Sequence, residues 1–324
     1  MSPCVRCSRA THAVRPPAVS PFTAVPMLKN AFFALLFCVC SAAWADVAFE
    51  SAHALVVDET SGQVLFEKDS GTAAPIASMT KLMTAMVVLD AKLPGDEPIR
   101  ITRDDLDTLK HTTSGVPVGA VIERQELLQL ALMSSDNHAA AALARTYPGG
   151  DAAFLDATRR KIADLKLENT FIEEPTGLSP ANHATAHDMV KILKAASAYP
   201  EIGQSTSQPS QLVTVSGRPV VVRNTNGLVG RPGWDILVSK TGFTNEAGRC
   251  VTMRVQAAGR HVLVVLMGAM ASSQRWLDAF NIQRSLGVTE LAQAPRVATP
   301  LRKVRKVAYK ASTRRLRSAA HAGA

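Results

Sequence analysis

The stretch Pro75-Ile76-Ala77-Ser78-Met79-Thr80-Lys81-Leu82-Met83 constrains the fold more than any other. A serine and a lysine stand three residues apart just after a proline, and from Leu82 to Leu89 only Thr84 is not apolar. Proline is favoured in the first turn of a helix, so a helix is predicted from near Pro75 to about Lys92, ended by Leu93-Pro94-Gly95. An apolar run on all sides places this helix inside a core. Positions i and i+3 share a face, so Ser78 and Lys81 project together. Burial disfavours an ammonium, and a neutral amine can take the proton of a neighbouring hydroxyl. A helix N-terminus adds positive potential where an oxyanion would form. The same two residues would also suit a cap and a lysine that reaches the surface, and Ser-x-x-Lys by itself is a weak signal.

The chain around this helix divides by pattern. Ala54–Asp58 and Gln63–Glu67 read as strands joined by a turn. Residues 96–122 read as polar and irregular, Glu123 to Met133 as a helix, and 139–145 as a second helix. The polar junction Ser134-Ser135-Asp136-Asn137 would then be a short loop. Residues 151–165 and 185–198 read as amphipathic helices, the second opened by a capping box of Thr185 and Asp188. From Gln211 strands return, with hairpins around Ser216-Gly217 and Gly259, and a helix follows from about Gln274 to Leu286. Strands at both ends and helices between them imply an α/β chain of the α+β kind, with an antiparallel sheet built from the two chain ends and helices packed on it.

Charge is unevenly spread. Of 36 basic residues, four lie in 1–45 and nine in 291–324, with no acid in either segment, so 46–290 holds 23 basic residues against all 27 acidic ones. A slightly acidic body does not suggest nucleic-acid binding. Residues 1–45 read as an N-terminal extension and signal peptide: Lys29, an apolar run from Ala31 to Cys40, then Ala43-x-Ala45, with cleavage expected after Ala45 and Met27 as an alternative start to Met1. Export to the periplasm follows. Four of the five cysteines precede that cleavage point, so only Cys250 remains and no internal disulfide is expected, and Cys4-x-x-Cys7 is not read as a metal site. His183 and His187 lack the glutamate and third ligand of a zinc helix, so no metal is expected. Residues 46–290 form the folded domain. Residues 291–324 read as a solvated basic tail, with attachment to anionic lipid or wall polymer as the alternative.

Two further elements join the first. Ser135-x-Asn137 places a hydroxyl and an amide at a helix junction. Lys240-Thr241-Gly242 stands at the end of a predicted strand, where Lys240 and Thr241 would meet a carboxylate and Gly242 would let a substrate backbone approach. The order Ser78-x-x-Lys81, Ser135-x-Asn137, Lys240-Thr241-Gly242 resembles the active-site serine penicillin-recognising enzymes. The surroundings Pro75–Asp90, Leu130–Ser135, Glu174–Ser179 and Ser239–Cys250 resemble low-molecular-mass D-alanyl-D-alanine peptidases, the last of them the endopeptidase branch. The resemblance covers about 50–285. It implies the serine β-lactamase/DD-peptidase fold with a helical subdomain and no cofactor. It also implies peptidoglycan stem peptides as substrate and β-lactams as covalent inhibitors. Ser78 would be the nucleophile, Lys81 the base and Ser135 a proton relay. Asn137, Lys240, Thr241 and Gly242 would bind substrate, the backbone N–H groups of Ser78 and Phe243 would form the oxyanion hole, and Arg275 would be a second carboxylate contact. A D-Ala-D-Ala carboxypeptidase is the alternative. A β-lactamase and a non-catalytic peptidoglycan-binding module are more distant ones, since Glu174-Pro175 lacks the lactamase continuation.

Overall fold

The computed structural model describes residues 49–257 and 259–287. The expected signal peptide, its Ala45 cleavage point, the Met27 start, the four early cysteines and the basic tail lie outside these residues. Strands β1 (His53–Asp58) and β2 (Val64–Lys68) form the first hairpin. Its turn is fixed by the Asp58 carboxylate, which accepts the N–H groups of Thr60 and Ser61 at 3.0 and 2.9 Å. A short strand, β3 (Ala74–Pro75), leads through a tight 3-10 turn (Ala77–Thr80) into helix α1 (Lys81–Asp90). The segment expected to be irregular contains β4 (Pro98–Arg100), which pairs with β5 (Val121–Glu123). Helices α2 (Arg124–Gln129), α3 (Asn137–Arg145) and α4 (Gly150–Asp164) follow, with a π turn (Leu130–Ser134) between the first two.

Strand β6 (His183–Ala184) pairs with β3 and precedes α5 (Ala186–Ala196). Thr185 caps α5 by accepting the Asp188 N–H at 3.1 Å, but the reciprocal half of the predicted capping box is missing. The Asp188 carboxylate instead accepts from Asn169 N at 2.8 Å and Thr170 Oγ1 at 3.0 Å, tying the preceding loop to the helix. Helix α6 (Pro200–Thr206) is absent from the sequence reading, although Pro200 stands in its first turn. Strands β7 (Ser210–Val215) and β8 (Arg218–Arg223) form a hairpin whose two-residue turn, Ser216-Gly217, has positive φ at both positions (49° and 76°). Strands β9 (Asp235–Thr244), β10 (Gly248–Ala257) and β11 (Arg260–Ala269) lead into helix α7 (Ser272–Ser285).

Among the described residues the main sheet is five-stranded and antiparallel, in the order β2-β1-β11-β10-β9. The two ends of the domain meet in it, as the sequence pattern implied. The sheet is covered on both faces, and β11 shows why. Val262, Val264 and Leu266 point to one side and join Ala279, Ile282 and Leu286 near α7. Leu263, Val265 and Met267 point to the other and join the cluster that contains α1 and α5. Both sets are buried, so the strand reads as a continuous apolar run. Asp278 of α7 fastens the chain entering β1. Its buried carboxylate accepts Glu50 N and Ser51 N at 2.8 Å and Ser51 Oγ at 2.6 Å.

Candidate active site

The nucleophile candidate sits where β3, the 3-10 turn and β9 converge. Pro75 does not start a helix as expected. It lies in β3, opposite His183, and Ile76 N donates to Asn182 O at 3.0 Å, which holds this segment extended. The chain then turns sharply. Ala77 takes a positive φ of 45°, unusual for a residue with a Cβ, and Ser78 follows within the 3-10 turn. Two glycines press on this turn. A Cβ on Gly177 would lie 1.9 Å from the Ala77 carbonyl oxygen, and one on Gly242 would lie 2.8 Å from the Ile76 oxygen and 3.4 Å from Ser78 N. The Ser78 turn is thus clamped between the 173–182 loop and strand β9.

Lys81, 1% exposed, begins α1. Its Nζ lies 3.1 Å from Ser78 Oγ, 2.7 Å from Asn137 Oδ1 and 2.7 Å from the Thr176 carbonyl oxygen. The last two groups only accept. A neutral amine has two N–H donors and one lone pair, so with both donors taken its lone pair faces the Ser78 hydroxyl. Burial pushes the Lys81 ammonium down to about 8, against the opposing pull of the Glu174, Asp136 and Asp107 carboxylates. Lys240 is also 1% exposed, and burial followed by the charge of Lys81 holds its pKa well below the usual lysine range. Two buried lysines this close disfavour the doubly charged state.

The junction between α2 and α3 is not the expected loop. The π turn ends at Ser135, which takes a left-handed conformation (φ 62°), and Asn137 is already the first residue of α3. Asp136 caps α3 by accepting Ala139 N at 3.0 Å. The widened turn and the left-handed residue bring Ser135 Oγ within 2.8 Å of Lys240 Nζ. Asn137 accepts from Lys81 and donates through Nδ2 to Thr112 Oγ1 at 2.8 Å.

Lys240-Thr241-Gly242 is not at a strand end. All three residues lie inside β9 and pair with Thr252, Val251 and Cys250 of β10, and pairing continues to Thr244. Gly242 is required by its approach to the Ser78 turn rather than by a turn of its own. Thr241 Oγ1 donates to Thr225 Oγ1 at 2.7 Å. Ser78, Ser135, Thr241, Gly242, Phe243 and Arg275 all line one cleft of about 450 Å3. Arg275 is buried against Trp276, its charge centre 4.1 Å from the ring centroid. It donates to the Cys250 carbonyl at 2.8 Å, and its Nε has no partner. Burial, with the neighbouring Arg249 charge adding to it, lowers Arg275 to about 10, so it stays charged at neutral pH.

The sequence reading missed Thr225, Arg249, Ser272 and Trp276 in this cleft and the Thr176 carbonyl behind it. No spacing signal marks Thr225, which is held in the cleft by donating its N–H to the Met133 carbonyl at 3.0 Å and accepting from Thr241 Oγ1. Glu174 is occupied. Its carboxylate accepts Thr176 N (2.7 Å), Thr176 Oγ1 (2.5 Å), Gly177 N (2.6 Å), Ser179 N (3.3 Å) and Asn182 Nδ2 (3.1 Å). It shapes the loop that carries Gly177, which leaves it no free oxygen for activating a deacylating water. His183 and His187 face different neighbours: His183 meets Ala181 O at 2.8 Å, and His187 meets Ser70 Oγ at 2.9 Å.

A serine 3.1 Å from a buried lysine whose pKa burial lowers to about 8, on a turn pinned over an antiparallel sheet, belongs to the serine hydrolases that work without histidine. The family described as Peptidase_S11, D-alanyl-D-alanine carboxypeptidase, matches residues 40–271, and the chain belongs to that family. It is 41% identical over 254 residues to a D-alanyl-D-alanine endopeptidase of Pseudomonas aeruginosa, covering 78% of this chain and 82% of that protein. It is 40% identical over 255 residues to a D-alanyl-D-alanine endopeptidase of Escherichia coli (strain K12), with the same 78% and 82% covered. The fold is similar to the crystal structure of the Streptomyces K15 DD-transpeptidase, with a TM-score of 0.69 at 24% identity, covering 74% of this chain and 98% of that one.

Proposed function

We propose that this serine peptidase is a D-alanyl-D-alanine endopeptidase that opens the D-alanyl–diaminopimelate cross-links between peptidoglycan stem peptides. The Lys81–Ser78 contact carries the acyl-transfer reading. The two relatives near 40% identity, both named endopeptidases, favour the cross-link over a terminal D-alanine. Ser78 Oγ attacks the D-alanine carbonyl as its proton passes to Lys81 Nζ. The N–H groups of Ser78 and Phe243 receive the oxyanion. The C–N bond breaks, and the leaving amine takes the proton through the Ser135 hydroxyl, which Lys240 holds in place. Water then attacks the ester and restores Ser78. Asn137 binds a substrate amide, and Thr241, Lys240 and Arg275 face the substrate carboxylate. A β-lactam's amine stays tethered to the acyl group instead of departing, and the Glu174 carboxylate is already fully hydrogen-bonded, so the β-lactam acyl-enzyme persists where the substrate ester is hydrolysed.

Intact-mass analysis after penicillin treatment, followed by digestion of purified cross-linked muropeptide dimers, tests the reading. A stable adduct mapping to Ser78 and conversion of dimers to monomers is expected. Loss of terminal D-alanine alone would make the enzyme a carboxypeptidase. Rapid penicillin turnover would make it a β-lactamase.

The rate of penicillin acylation should rise with pH through about 8, where Lys81 gives up its proton. A base acts only when deprotonated, so below that point the rate falls about tenfold per pH unit. A profile flat from about pH 6 to about pH 9 would remove Lys81 as the base.

The protein is proposed to be exported to the periplasm by a signal peptide cleaved after Ala45, with its basic tail touching membrane or wall. Among the described residues no helix is long and apolar enough to cross a membrane. Fractionating cells that express the chain with and without residues 291–324 tests both placement and tail.

A further inference from the structure

Arg249 has no role in the chemistry above, yet it lines the same cleft as Ser78, Thr241 and Arg275. It is the second residue of β10 and lies opposite Phe243, two residues beyond Thr241 on the neighbouring strand. Its guanidinium sits over the half-exposed Phe243 ring, with the charge centre 3.5 Å from the ring centroid. Neither Arg249 nor Arg275 is paired with a carboxylate among the described ion pairs. The ring contact holds each guanidinium in place without using up its N–H donors, which can hold a carboxylate. The two cations also oppose each other, since the Arg249 charge helps to lower Arg275. A cleft wall built with two mutually repelling, acid-free guanidiniums is electrostatically unfinished, and two carboxylates on one ligand would complete it.

We infer that Arg249, held by Phe243, is a specificity residue that binds a second carboxylate on the leaving-group strand of a cross-linked substrate. The inference rests on the endopeptidase reading. A terminal D-alanine leaves with a single carboxylate, next to the scissile nitrogen, and Arg275 is placed for that one. A diaminopimelate leaving group carries the same carboxylate and is joined to a stem peptide that bears others. Arg249 therefore separates the two substrate classes by charge: the cross-linked strand satisfies both arginines, and the single residue leaves Arg249 unpaired. A lost charge-assisted hydrogen bond at such a site corresponds to about a tenfold to hundredfold loss.

The test compares full-length wild type with Arg249→Ala and Arg249→Lys. Each is assayed for kcat/KM on synthetic cross-linked dimers and for the second-order rate of penicillin acylation. The dimers are made in two forms, with the acceptor-strand carboxylates remote from the scissile bond either free or amidated. The ratio of dimer cleavage to penicillin acylation should fall about tenfold or more in Arg249→Ala and by less in Arg249→Lys. Amidation should cost the wild type the same factor and cost Arg249→Ala nothing further. Equal losses on penicillin and dimers would mean that Arg249 only positions the end of β9, and an amidated dimer cut by the wild type as fast as the free one would remove the second carboxylate. Either result overturns the inference while the endopeptidase reading stands. Wild-type protein that takes up penicillin but leaves every dimer uncut sinks both, and the wild-type lane alone reveals it.

Discussion

Lys81→Met is expected to leave a folded protein that penicillin no longer labels on any practical timescale. Methionine matches the length and volume of the buried stem but carries no proton acceptor. The Ser78 hydroxyl then faces a thioether where it faced an amine at 3.1 Å. General-base assistance contributes about 10² to 10⁴ in rate, and here the amine is the group whose lone pair is aimed at Ser78, so a fall of about 10³-fold or more is expected. Stability should change little. Removing a buried lysine relieves a desolvation cost, which the loss of donors to Asn137 Oδ1 and the Thr176 carbonyl offsets. Intact-mass labelling measures the rate, and thermal unfolding shows that the variant is native. Near-normal labelling of a native Lys81→Met would shift the base to Lys240, acting through Ser135 across their 2.8 Å contact.

How far the site could be read from sequence depends on how local its causes are. The Ser78–Lys81 pair was legible because three residues along a tight helical turn fix the geometry whatever surrounds it. The two-ended sheet was legible because β1 and β11, which pair with each other, carry the apolar runs Ala54–Val57 and Val262–Met267 near opposite ends of the domain. The site's finer placement was not. Gly242 was read as an opening for substrate at a strand end, and only the approach of Ile76 and Ser78 from far away in the chain shows that glycine is needed there for the Ser78 turn while the strand runs on through it. The π turn before Ser135 keeps an apolar helical pattern, so nothing in the run announces the widened turn that aims Ser135 at Lys240. Asp188 has the spacing of a capping box, but a loop donor outcompetes the helix for its carboxylate. Arg249 and Arg275 lie on different elements and face one cleft only because β10 and α7 meet beside β9.

Gly177→Ala is expected to damage stability and catalysis together. At φ 84° an alanine is strained in any surroundings, and here its Cβ would stand 1.9 Å from the Ala77 carbonyl oxygen, 2.3 Å from the Ala77 carbonyl carbon and 2.8 Å from Ser78 N. All three are backbone atoms, so no side chain can swing aside. Either the loop shaped by Glu174 lifts away or the Ser78 turn shifts by an ångström or so. The first breaks the Thr176 carbonyl contact to Lys81, and the second misplaces the nucleophile. A loss of about 4 kcal/mol in stability is expected, from strain plus disrupted packing. Acylation by penicillin should fall about 10²-fold or more, as a 1 Å displacement of a reacting group does. Gly119→Ala separates the two causes. Gly119 has a similar φ of 91°, but a Cβ there meets nothing within 4 Å. It should lose only the conformational term, about 1 to 2 kcal/mol, and acylate at the wild-type rate. If Gly177→Ala resembled Gly119→Ala in both measurements, the clamp on the Ser78 turn would not be what holds the nucleophile in place.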